Sequence, residues 1–256
     1  MRASWRRGLI GTAAFTALLE LLPRTGLVDP GYLPTASTIA GALAGELSRE
    51  AFWSALLDTV RGWATGLGVA IVTGVAVGVV VGVVPGLRAL TASTVEFLRP
   101  IPSVALIPLA VLMFGTSMES TLMLIVYASF WQVLVQVLDG VRDIDPVTHE
   151  TARSYGFGVF TRIRVVVWPT ALPHVMTGMR LAATVALVLA ITGELVIGSP
   201  GLGRQIALAQ SAGAVETMYG LVVVAGLFGV VVNLSIRAAE RRALRWHVSV
   251  RRENAV

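Results

Sequence analysis

Apolar residues gather in long runs separated by short polar stretches, and the runs set the elements to expect. Six read as membrane-crossing helices, the first of them short: Gly8 to Leu22, Gly62 to Val84, about 89–115, about 121–138, Val175 to Ile197 and Met218 to Ile236. Crossing ~30 Å of hydrocarbon takes about 20 predominantly apolar residues. The expected fold class is all-α, a polytopic membrane protein with about six transmembrane helices. The pattern divides the chain into 1–23, a basic N-terminal arm and first span; 24–61, an extracytoplasmic segment; 62–236, the core with five further spans; and 237–256, a basic tail.

Within this frame several stretches have their own signature. Arg2, Arg6 and Arg7 precede the first run, as they would in a signal peptide. No small-residue cleavage site precedes its Pro23-Arg24 stop, and Glu20 sits in the last turn, so a retained span is expected. Residues 24–50 are turn-rich, with a short amphipathic helix from Thr38 to Leu47. Another is expected over Ala51 to Arg61, where Phe52, Leu56 and Val60 form one stripe. In the second span small residues recur every fourth position (Gly62, Gly66, Ala70, Gly74, Gly78, Gly82), a ridge that lets a neighbouring helix backbone approach closely. The third span carries Glu96, Arg99, Pro100, Pro102 and Pro108. Proline removes an N–H and kinks a helix, and membranes tolerate such breaks against protein or a water-filled cavity. This span is therefore expected to face the bundle interior.

Composition narrows the function. The chain is 55% hydrophobic and 14% charged, with a mean hydropathy of +0.77, which fits a polytopic membrane protein. All 20 basic residues are arginine. A P-loop requires a lysine to reach the nucleotide phosphates, so ATP binding through that motif is excluded. The chain has no cysteine and only three scattered histidines, which argues against thiol chemistry and a histidine metal site. The net charge of +5 reports orientation before it reports nucleic acid. With both termini inside, 14 arginines fall on the cytoplasmic side and 4 outside. That positive-inside bias places the polar loop 139–173 in the cytoplasm.

The loop carries the most specific chemistry. Asp145-Pro146 is a helix start, an N-cap followed by proline at the first helical position. His149 to Tyr155 can then make two turns, broken by Gly156 and Gly158, and a second short helix over Phe160 to Val167 would stop at Trp168-Pro169. Its Glu150-Thr-Ala-Arg-Ser-Tyr-Gly156 run, with Pro169 thirteen residues further on, resembles the EAA loop of ABC importer permeases. Thr151, where the family most often has alanine, and Trp168, in place of an aliphatic residue, depart from that pattern. The stretch Phe97 to Gly115 resembles the corresponding segment of nitrate, sulfonate and taurine importer permeases.

The resemblance covers about Leu33 to Arg245. It implies a type I importer fold in the plasma (inner) membrane. It also implies a second permease subunit (identical or homologous), two ABC ATPase subunits and an extracytoplasmic substrate-binding protein. ATP and magnesium would sit on the ATPases, leaving no cofactor, metal or catalytic residue in this chain. Glu150, Thr151, Ala152, Tyr155, Gly156 and Pro169 become the ATPase-coupling residues, with Thr151 and Ala152 small enough to dock closely in a partner groove. Arg99, Pro100, Pro102, Ser103, Met113, Gln132 and Glu194 are candidates for the pathway. Each has a plainer reading. Glu96 and Arg99 can satisfy each other; Ser103, Met113, Trp131 and Gln132 suit helix packing; Asn233 suits interhelical bonding. Glu194 can pair with Arg204 or cap the chain near Gly198. A stand-alone channel, an ion-coupled carrier and an importer for a thiamine-precursor-like nutrient remain alternatives; an intramembrane enzyme lacks paired catalytic residues.

Overall fold

A computed structural model describes residues 2–245, all of whose regular elements are helical. The C-terminal part of the basic tail, residues 246–256, lies outside the described residues. The helices are α1 (Arg2–Arg24), α2 (Ala36–Leu47), α3 (Glu50–Val83), α4 (Pro85–Leu98), α5 (Ile107–Phe114) and α6 (Met118–Arg142). They continue with α7 (Pro146–Ser154), α8 (Val159–Arg162), α9 (Trp168–Ile197), α10 (Leu202–Ser211) and α11 (Val215–Ala243). A 3₁₀ turn, Ser103–Leu106, precedes α5, and a π turn, Ile163–Val167, joins α8 to α9.

Three helices make the core, with α6 between α3 and α9. The fourth-residue ridge of α3 is buried along its whole length and meets α6 at matched intervals. A side chain at Gly62 would meet Met118, at Gly66 Ile125, at Gly74 Val133, at Gly78 Val137 and at Gly82 Val141. Both partners advance together, so α3 and α6 run parallel. Helix α9 lies antiparallel on an adjoining face of α6 and also touches α3: Gly140 meets Ala171, Gly178 meets Gln136, and Gly193 meets Thr121. The α9 face is lined with Ala182, Ala183, Ala186 and Ala190, all fully buried. Small side chains let these backbones close up where lipid gives no hydrophobic drive. The Trp63 indole N–H donates to the Ala183 carbonyl at 3.1 Å, and the Ser129 hydroxyl to that of Ala182 at 3.3 Å.

Several expectations change in detail. Residues 51–61 do not form a separate amphipathic helix; they are the first turns of α3, one helix of 34 residues. No breaker separates them, because Gly62 is held helical in its close contact with α6. Pro169 does not stop the helix either. The π turn realigns the backbone, and the missing N–H of Pro169 falls in the first turn of α9, so 159–197 is continuous. The fifth span thus starts well before Val175.

Among the described residues, α3, α6, 159–197 and α11 are long and apolar enough to span, and the bent pair α4/α5 makes a fifth. Helix α1 falls short of that measure, because Arg7 and the Glu20–Arg24 end bound its apolar run. It docks on α2 through Glu20, which accepts the Ser37 N–H and hydroxyl at 2.9 Å each.

The proline break is where it was expected, a bend of 83° between α4 and α5, and one side of the bent pair packs on this chain: Ala110 is fully buried, and Val95 and Leu98 lie against Trp131, Leu134 and Leu138. Leu90, Phe97, Leu112 and Met113 are exposed, between 59% and 84%.

Candidate functional site

The polar end of the bundle carries α7. Its start follows from Asp145, whose carboxylate accepts the Val147 N–H at 2.9 Å, with Pro146 at the first helical position. Its end is a Schellman motif. Gly156 takes φ +73°, the Phe157 N–H reaches the Ala152 carbonyl at 3.0 Å, and the Gly156 N–H reaches that of Arg153 at 2.9 Å. Only glycine enters that left-handed conformation without cost, so the position of Gly156 fixes the length of α7.

Of the described side chains of this capped helix only Ala152 is buried, and one stripe of the exposed surface carries its large apolar groups. Val147 (68% exposed), Thr151 and Tyr155 (75%) lie at i, i+4 and i+8, and Glu150 is also exposed. Phe157, Val159 and Phe160 continue the apolar surface, with Phe160 90% exposed. Ala152 points the other way. It is buried in its own chain, so of the two small residues expected in a partner groove only Thr151 is available. Pro169 lies away from this surface, in the first turn of α9.

At the other end of α9, Glu194 is buried and fully engaged. It accepts the Gly203 N–H and the Thr59 hydroxyl, each at 2.9 Å, and Thr59 Oγ1 in turn accepts the Leu202 N–H at 2.8 Å. Two N–H groups at the start of α10, which no helical carbonyl can satisfy, are thereby paired. The Gly201-Leu202-Gly203 turn makes room for this. A side chain on Gly201 would overlap the Glu194 carboxyl, and one on Gly203 would overlap the Ile191 carbonyl. Nearby, the Thr121 and Ser199 hydroxyls are 2.7 Å apart in a buried pair. Arg204 is exposed and is not the partner of Glu194. Thr59 escaped sequence reasoning because 135 residues separate it from Glu194.

The remaining pathway candidates are dispersed. Arg99, Pro100 and Pro102 are exposed at the bend and Ser103 is half-buried. Contrary to expectation, Glu96 and Arg99 form no ion pair among the described residues. The Tyr127 hydroxyl donates to the Leu98 carbonyl at 2.8 Å and pins the bend to α6, beside buried Trp131. Gln132 is half-buried on α6, Met113 is exposed on α5, and Asn233 is exposed on α11 with no hydrogen bond to another helix among the described residues. No group of carboxylates and histidines among the described residues is placed to hold a metal ion.

Comparison with known proteins agrees with this architecture. Residues 66–245 match the family model described as binding-protein-dependent transport system inner membrane component. A putative aliphatic sulfonates transport permease of Bacillus subtilis is 27% identical, over 97% of this chain and 90% of its own. The riboflavin transport system permease of Chloroflexus aurantiacus is 31% identical, over 94% and 91%. The taurine transport system permease of Escherichia coli is 31% identical over 65% of this chain, but the match spans only 60% of that relative's length. Among solved structures, a bacterial ABC transporter that imports alginate superposes with a TM-score of 0.66 at 14% identity, covering 94% of this chain and 96% of that one. The methionine ABC transporter, in an inward-facing form, gives 0.63 at 18%, covering 73% and 93%.

Proposed function

Because the chain belongs to the binding-protein-dependent transport system inner membrane component family, we propose that α7 is the coupling helix of an ATP-driven importer. It is a membrane-spanning transport subunit rather than an enzyme. The observation that carries the coupling role is the exposed stripe Val147, Thr151, Tyr155 on a helix capped at both ends. A rigid helix with an apolar, partnerless face suits the helix-in-groove mode of docking. The groove belongs to an ATPase subunit, which also binds the ATP and magnesium. In this arrangement α7 faces the cytoplasm, and with α1 crossing as a sixth span both chain termini lie on the same side.

A second permease subunit, identical or homologous, covers the exposed faces of α4 and α5 and completes the surroundings of Arg99, Pro100 and Pro102. Substrate then arrives on an extracytoplasmic binding protein, and rocking of the two subunits exposes the path alternately to each side. The cargo is a small organic anion of the sulfonate or taurine kind, following the two sulfur-compound relatives. The riboflavin relative, which aligns over nearly the whole chain, supports a second reading as an importer of a small heterocyclic nutrient.

Two measurements test these readings. A cysteine at Thr151 or Tyr155 is expected to crosslink to a cysteine-bearing ATPase subunit, whereas one at buried Ala152 crosslinks poorly. With the protein correctly inserted, absence of any Thr151 or Tyr155 crosslink under every nucleotide condition removes α7 as the coupling helix. For the cargo, uptake with the cognate binding protein is competed with sulfonates, nitrate, pyrimidines and riboflavin; competition by riboflavin alone eliminates the anion reading.

A further inference from the structure

Behind α7, on the side away from its exposed stripe, a cavity of about 340 Å³ lies between the ends of α3 and α6 and the 159–167 segment. Val83, Val141 and Ile163 give it apolar walls, and Glu150, Arg153 and Arg162 supply its charge. Two guanidiniums against one carboxylate leave the lining net positive. Neither arginine forms an ion pair among the described residues. The Nε of Arg162 is buried with no hydrogen-bond partner among them. A buried donor left unmatched is costly, and a native site that keeps one calls for an acceptor.

We propose that this cavity binds a phosphate ester bearing an apolar portion, with Arg153 and Arg162 on the phosphate oxygens and the carbon portion against Val83, Val141 and Ile163. Arginine is suited to the role because its planar fork matches phosphate oxygens and its charge persists at all physiological pH. Two sources offer this chemistry: the headgroup of an anionic phospholipid, and a free organic phosphate. The cavity lies where membrane helices end, the depth at which basic pockets between spans meet headgroups. Glu150 and Arg153 belong to α7, so occupancy holds α7 against α3 and α6. That consequence for transport rests on the coupling role proposed above; the binding itself does not.

The test uses the full-length chain. Retained lipid is counted by native mass spectrometry after equilibration with phosphatidylglycerol or phosphatidylcholine, and melting is followed with glycerol 3-phosphate and inorganic phosphate. The expected result is retention of phosphatidylglycerol over phosphatidylcholine, reduced at least fivefold in the Arg153→Ala/Arg162→Ala double variant and unchanged in Arg242→Ala, an exposed arginine on α11. If the double variant fails to fold, Arg153→Gln and Arg162→Gln are tested singly for the same loss. A melting shift with glycerol 3-phosphate that vanishes in the variants also supports the site and identifies a soluble source. Equal retention by wild type and variants overturns the proposal. So does the absence of both a lipid preference and a glycerol 3-phosphate shift in the wild type.

Discussion

Adding one methyl group at Gly66 tests whether the α3–α6 contact holds the fold. A Cβ there would lie 2.5 Å from Ile125 Cγ2 and 3.0 Å from Ile125 Cβ. Carbon atoms ordinarily rest ~3.5–4.0 Å apart, so the overlap is roughly 1 Å against a β-branched side chain that is fully buried. Overpacking of this kind costs about 1–3 kcal/mol. Replacing glycine by alanine also adds up to ~1 kcal/mol of helix propensity, which would blur a single measurement. Gly68, on the same helix with nothing within 4 Å, supplies the control. Propensity cancels between Gly66→Ala and Gly68→Ala, leaving packing alone.

The first variant is therefore expected to be ~1–3 kcal/mol less stable than the second. At about 2–4 °C per kcal/mol for chains of this size, that is roughly 2–12 °C in a detergent melting assay. Gly62→Ala should fall between them, since it meets only the terminal methyl of Met118, at 3.1 Å. In a double-mutant cycle, Gly66→Ala with Ile125→Ala should lose less stability than the two singles added together. Equal melting of the Gly66 and Gly68 variants refutes the close-packed ridge.

Three further outcomes follow, one from the Glu194 end of α9 and two from α7. Glu194→Ala leaves the Gly203 N–H without an acceptor in a buried place and the Thr59 hydroxyl with only the Ala55 carbonyl, so a loss of ~2–4 kcal/mol is expected. Glu194→Gln keeps an acceptor and should lose distinctly less; equal melting of the two variants counts against the capping role. Gly156→Ala forces a side chain into a left-handed conformation, costing ~1–2 kcal/mol locally. Hydrogen exchange should show α7 fraying and uptake should fall, while melting of the core stays at the wild-type value. Asp145→Ala removes the cap on the Val147 N–H and should weaken α7 by about 1 kcal/mol. Protection of α7 amides equal to wild type would show that the cap is dispensable.

What the sequence made legible were features written in local spacing. The ridge from Gly62 to Gly82 has a single period, and that period survives as contacts with α6. Asp145-Pro146 and Gly156 carry their meaning within a few residues, because caps are built from neighbouring backbone. Features depending on distant partners were hidden. Nothing near Glu194 announces Thr59, and the choice between a pathway carboxylate and a helix cap turns on that contact. The stripe of Phe52, Leu56 and Val60 misled in the other direction: it suggested a separate amphipathic helix over Ala51 to Arg61, yet a helix ends only where its hydrogen-bond ladder is broken. Pro169 looked like such a break, and the π turn before it absorbs the missing donor. The exposed side of the bent α4/α5 pair was hidden for a third reason: proline spacing shows that a helix breaks, not which of its sides packs.

Helix α9 ties these observations together. With the segment leading into it, it runs unbroken from Val159 to Ile197, so the α7 end and the Glu194 end of the molecule share one continuous helix. Its small-residue face lies on α6 along the length of that helix, the α3 ridge packs on an adjoining face of α6, and Trp63 of α3 bonds α9 directly. A displacement entering at α7 therefore cannot be absorbed by sliding of one helix; α3, α6 and α9 have to move as a block. Two places on this path are built to bend, the π turn at Ile163–Val167 and Pro173 within α9. Both lie close to α7, and the far half of α9 contains no such joint before Gly198. For a coupling helix this layout puts the compliance at the driven end. At the far end, the Glu194–Thr59 pair locks α10 to α9 and α3, so the loop there follows the block instead of moving independently.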